Sequence, residues 1–204
     1  MIEQLILGMY EPGQRLKLNE LAKQTGTSVS PVREALIRLV AEDSVEMSSL
    51  RAFAVPILSS SRFNQILSIR LVLEGLAVEK AIESITQSEV EQLFKLHAKF
   101  VSAEANQERQ EAQSLNRRIH FLIYDRANMP ILMSSILNLW AKMGPILRVY
   151  YSKRIDVTIG APDHLNLFEA IVAKDCSRAV AAVQADIFHG CGAIGNYIRE
   201  LEDS

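Results

Sequence analysis

Three of the four histidines, His120, His164 and His189, fall in separate stretches of helical periodicity. An imidazole nitrogen suits zinc, nickel, cobalt or manganese, and three such ligands leave coordination positions open. Asn116 stands four residues before His120. On a helix the two side chains share one face, and the amide oxygen is a weaker fourth ligand. Taken singly, each histidine reads as an ordinary structural residue of an amphipathic helix, and His97 reads only that way. A second chemistry is cationic. Arg33 follows two hydroxyls, Ser28 and Ser30. A guanidinium matches guanine O6 and N7, and hydroxyls donate to phosphates. By itself Arg33 reads equally as a solvated helix residue paired with a carboxylate.

The elements that must hold Arg33 are legible. Leu21–Leu39 reads as helix, tight turn, helix. Ala22 allows close approach, Gly26 ends the first helix in the left-handed conformation, and Val32 packs the second helix back. Asn19 is expected to cap the first helix. Ser30 and Pro31 are expected to start the second as N-cap and first helical residue, which puts Arg33 in the first turn. Residues 2–9 form a short preceding helix, and Pro12-Gly13 is a turn. Val45–Met47 and Ala52–Ile57 read as two short strands around a turn at Ser48–Arg51. Three helices and a β-hairpin make a winged helix, which offers its second helix-turn-helix helix to a DNA major groove.

Beyond the polar break at Ser59-Ser60-Ser61 the periodicity is helical throughout. Helices are expected at 61–84, 88–105, 108–127, 130–151, 163–174 and 176–201, with an irregular loop at 152–162. The fold class is mainly α: a winged helix-turn-helix over 1–58, then an all-α six-helix antiparallel bundle over 59–204.

Composition bounds the rest. The chain has 204 residues, 49% of them apolar, and a formal net charge of −2. Two cysteines do not make a disulfide framework, no basic-then-apolar leader opens the chain, and no run is long enough to span a membrane. These features point to a cytoplasmic protein. Residues 1–58 hold six Lys/Arg against seven Asp/Glu, so attraction to DNA must come from where the charges lie. Arg15, Lys17, Arg33 and Arg51 lie in the segments that would face it.

The strings PGQRL, LNELAKQTGTSVSPVREALIRL and SVEMSSLRAFAVPI resemble the winged-helix domain of the GntR family of bacterial transcription regulators. The resemblance implies DNA contacts at Arg33, Ser28, Ser30 and Arg51, with Arg15 beside them. Val29 stands where the family commonly has a basic residue, Ala52 where the wing commonly has glycine, and Asn19 where arginine is frequent. Residues 62–201 resemble the all-helical FCD effector domain of the FadR-like branch. That pattern places an acidic or amide residue four before a histidine, then one histidine on each of two later helices. LNRRIH, PDHLNLFEAI and ADIFHGCGAI match it. The resemblance therefore implies a divalent metal (zinc, nickel or manganese) on Asn116, His120, His164 and His189, with Asn116 where aspartate is common.

A histidine-bound cation in a helical bundle is an uncompensated charge that a small carboxylate effector can neutralise. Arg70, Arg148 and Tyr150 are candidate second anchors for such an acid. Arg70 reads equally as the salt-bridge partner of Glu74. The expected partners are thus a double-stranded operator, a second copy of the chain as a homodimer on a near-palindrome, and a small organic acid. Two other readings stand beside this one. A metal-dependent hydrolase or lyase could use the open position to activate water. Asp163 adjoins His164 but sits about 100° around a helix from it, and nothing forces Asp125 or Asp186 near. A metal-free sensor would have Asn116 marking an altered site.

Overall fold

The computed structural model describes residues 1–48, 52–153 and 161–203, without the side chains of Tyr150, Tyr151, Lys153, Ala161 and Pro162. Residues 49–51 of the expected wing turn, including Arg51, and most of the 152–162 loop thus lie outside the described residues. The described chain divides into two compact units: Met1–Ser59 with Leu137–Val149, and Ser60–Ile136 with Tyr150–Ser204.

The first unit begins with α1 (Ile2–Ile6), β1 (Arg15–Leu16), α2 (Leu18–Thr25), α3 (Val29–Ala41), β2 (Glu46–Met47) and β3 (Phe53–Ala54). The strands form an antiparallel sheet in the order β1-β3-β2, with Leu16 and Met47 both opposite Phe53. The sequence reading anticipated the β2–β3 hairpin and missed β1. A two-residue strand has no alternation to read; only pairing with β3 defines it. Gly26 ends α2 at φ +65°, and Ala22 and Val32 are buried as the helix-turn-helix requires. Two expected helix starts shift. α2 begins at Leu18 after Lys17, so Asn19 lies inside the first turn. α3 begins at Val29 after Ser28, whose extended backbone (ψ 168°) takes the N-cap position. Pro31 is then the third helical residue, tolerated because first-turn N–H groups have no intrahelical acceptor. Arg33 opens the second turn.

The second unit holds α4 (Ser60–Ala81), α5 (Gln87–Ala105), α6 (Arg109–Tyr124) with a 3-10 turn at Asp125–Ala127, α7 (Pro130–Lys153), α8 (Ala161–Val172) and α9 (Cys176–Glu202). The stretch Leu137–Val149 of α7 packs with the first unit. Thr86 and Glu89 form a reciprocal capping box at the start of α5, and the Asp175 side chain caps α9. Leu93, Phe100, Leu115, Ile119, Phe168, Val183 and Ile194 are buried, each at 1% exposure or less. α4 packs on α9, α5 on α6 and α8, and α8 on α9. Close approach of α4 and α9 uses glycine on both sides. A Cβ at Gly195 would lie 2.9 Å from Phe63, and one at Gly75 would lie 3.2 Å from Gln184.

Candidate functional site

Among the described residues of the second unit, six charged or imidazole side chains are buried, each at 7% exposure or less: Arg70 and Glu74 of α4, His97 of α5, His120 of α6, His164 of α8 and Asp186 of α9. Burying so many polar groups is costly unless they serve one another or a ligand. They form a connected set. Arg70 Nε donates to Glu74 Oε1 at 2.6 Å, and its Nη1 lies 3.6 Å from Cys191 Sγ. The Tyr124 hydroxyl donates to Glu74 Oε2 at 2.7 Å, and His120 Nδ1 is 2.9 Å from that hydroxyl. His120 Nε2 is 3.1 Å from Asp186 Oδ2, and His164 Nε2 is 3.6 Å from Asp186 Oδ1.

His120, His164 and Asp186 each offer a ligand atom within 4.8 Å of the others'. Burial pushes the His164 imidazole down to about 4; Asp186 opposes this, while His120 and His97 add to it. Its ring is therefore neutral at neutral pH and presents one nitrogen lone pair, as a metal ligand must. Burial also works to raise the Asp186 carboxyl, but His120 and then His164 and Arg70 outweigh it and hold it below the ordinary aspartate value. Both His164 nitrogens and the Asn116 carbonyl oxygen are buried without a hydrogen-bond partner. Two imidazoles and one carboxylate make a donor set that fits a divalent cation of the zinc, manganese or iron type. Such an ion would supply a fixed positive charge with open positions for an anion.

Of the four expected ligands, the cluster holds His120 and His164. His189 is not in this cluster: its Nδ1 pairs with Asp163 Oδ2 at 3.0 Å, and its side chain is 61% exposed. Asp186, three residues earlier on α9, occupies the cluster instead. The only signal for it in the sequence is an acidic residue one helical turn before an expected ligand. His97 also counts for more than expected. Its ring meets the His164 ring edge-on at 5.6 Å, and its Nδ1 is buried without a partner.

The expected effector anchors fare differently. Arg70 is engaged by Glu74, as its salt-bridge reading required. Arg148 is not in the buried cluster: its Nη1 donates to the Gly8 carbonyl at 3.0 Å, within the first unit. The Tyr150 side chain is outside the described residues.

In the first unit a groove is lined by Arg15, Lys17, Asn19, Val29, Arg33 and Phe53. It brings Arg15 of β1 and Arg33 of α3 to one concavity beside the start of the second helix of the helix-turn-helix. Arg33, Ser28 and Ser30 are exposed. Lys17 is held by Glu20 at 2.8 Å. Cations around a helix N-terminus suit phosphate, and an exposed arginine suits a base edge.

Residues 1–55 match the family described as bacterial regulatory proteins, gntR family, and residues 65–188 match the FCD domain. The chain belongs to the GntR family, in the branch that carries an FCD domain. This GntR chain is 38% identical over 185 residues to the HTH-type transcriptional regulator McbR of Escherichia coli K12, covering 88% of this chain and 84% of that one. The solved structure of E. coli McbR/YncC superposes with a TM-score of 0.89 at 31% identity, over 96% of this chain and 93% of the other. A GntR regulator from Rhodococcus sp. RHA1 shares the fold, with a TM-score of 0.75 at 16% identity. The GntR protein described here is a DNA-binding transcription regulator. The hydrolase or lyase reading is set aside, because both matching families and the relatives named are transcription regulators. No helix among the described residues is long and apolar enough to cross a membrane.

Proposed function

We propose that this regulator binds a near-palindromic operator as a homodimer in the cytoplasm, and that a small organic acid controls it by ligating a divalent cation on His120, His164 and Asp186. Residues 1–58 would read DNA through Arg33, Ser28, Ser30, Arg15 and Arg51. Residues 59–204 would sense the acid and dimerise. The observation that carries the sensing half is the buried His120–His164–Asp186 cluster, in which both His164 nitrogens lack a partner. The family pattern commonly puts aspartate where this chain has Asn116. Here Asp186 supplies the carboxylate charge from α9, and Asn116 adds a neutral oxygen. The acid would complete the open positions and shift the bundle between two arrangements with different operator affinity.

Metal analysis of protein purified without an affinity tag tests this reading, followed by gel shifts on operator DNA with small mono- and dicarboxylates. About one equivalent of a transition metal, lost in His164→Ala, is the expected result. Wild-type protein that holds no metal, and whose operator binding ignores chelators, would leave a metal-free sensor.

A further inference from the structure

We infer that Glu74, acting through Tyr124, is a positioning residue of the metal centre: it selects the His120 nitrogen that meets the ion. The inference rests on the metal reading above. Tyr124 has one hydroxyl proton and gives it to Glu74 Oε2 at 2.7 Å. Its oxygen can then only accept from His120 Nδ1, 2.9 Å away. With the proton on Nδ1, a neutral His120 carries its lone pair on Nε2. That lone pair faces Asp186 Oδ2 at 3.1 Å. Two lone pairs at that distance repel, so the contact needs either a metal ion between them or a second proton on the ring.

Arg70 completes the device. Its guanidinium contacts both Glu74 oxygens, at 2.6 and 3.5 Å, and keeps the carboxylate turned toward Tyr124. Tyr124 and Glu74 are fully buried at 0% exposure, so water does not compete for the hydroxyl. Without that hydroxyl, His120 can place its proton on Nε2 and donate it to Asp186. The pair then satisfies itself, and the lone pair the ion needs is lost. Such outer hydrogen bonds fix the tautomer and orientation of ligating histidines.

The test is a Zn²⁺ titration of the full-length protein against a chromophoric chelator, with 15N spectra of the imidazoles. Tyr124→Phe keeps the ring and removes only the hydroxyl. It is expected to weaken Zn²⁺ binding about 10–100-fold and to show the His120 proton on Nε2 in the metal-free state. Zn²⁺-loaded wild type is expected to keep the proton on Nδ1 with the ion on Nε2, a measurement that needs no variant to fold. Unchanged Zn²⁺ affinity in Tyr124→Phe, or an ion on Nδ1 in the wild type, overturns the positioning role while the metal reading survives. Wild-type protein that takes up no Zn²⁺ removes both.

Discussion

His120 Nε2 and Asp186 Oδ2 stand 3.1 Å apart, joining α6 to α9 where neither residue is more than 6% exposed. Such a contact is favourable when Nε2 carries a proton to donate or when a metal ion is shared, and unfavourable when a bare lone pair faces the carboxylate.

Asp186→Asn should therefore abolish metal retention or weaken it by more than the roughly 10–100-fold typical of losing an outer partner. His189→Ala should leave retention near wild type, because that imidazole is paired with Asp163 at the surface. Metal content after dialysis against a weak chelator separates the two variants. The opposite ranking would restore His189 to the ligand set.

Arg33→Ala should cost about 1–3 kcal/mol of operator binding and relax base preference at the position it reads. The measurement is a binding isotherm on an operator selected from random duplexes. Arg15→Ala should instead weaken all sequences alike and lower the salt dependence.

Gly144 carries a packing constraint in the first unit. A Cβ there would fall 1.9 Å from the Leu5 carbonyl oxygen, backbone that has no side-chain freedom to yield. Arg148 and Lys142 donate to the carbonyls of Gly8 and Glu42 from the same stretch of α7. Gly144→Ala should destabilise the protein by at least about 1–3 kcal/mol in denaturant unfolding, the usual cost of overpacking. Gly190→Ala and Gly192→Ala, with nothing within 4 Å of the added carbon, should instead stabilise α9 by about 0.5–1 kcal/mol.

Acid should destabilise the metal-free protein in a defined window. His164 is held neutral, with a folded value of about 4 set first by burial, against about 6.5 in an unfolded chain. Its contribution is fully present above about pH 6.5, is lost as pH falls towards 4, and is flat below that, on the order of 3 kcal/mol. His97, which meets its ring from α5, is also pushed down by burial and adds in the same sense. Asp186 on α9 is held below its ordinary value, so its contribution is lost only at still lower pH. His120 lies beside His164 from α6, with ring centroids 5.3 Å apart. Unfolding free energies from pH 8 to 4, on EDTA-treated wild type and His164→Phe, check this. Equal slopes for the two proteins would remove His164 as the cause.

Local physics wrote much of this molecule into its sequence. The apolar periods placed all six long helices to within a few residues, since an amphipathic stripe and its caps are short-range properties. Gly26, Ala22 and Val32 identified the helix-turn-helix because each answers a local steric demand. His120 and His164 were recognisable as partners only through the family pattern. Tertiary packing decided the remainder. Asp186 and His189 lie three residues apart on α9, so their side chains differ by only about 60° around the helix, and periodicity cannot say which one turns inward. The close seats of Gly75 and Gly195 between α4 and α9 restrict how the helices meet, and in the packed bundle Asp186 faces the imidazoles while His189 turns to Asp163. Arg148 likewise had helical spacing and no address until Gly8 lay against Gly144. Which face a helix buries is set by its own residues, but which side chain meets a distant one depends on a rotation of a few tens of degrees fixed by neighbours far along the chain.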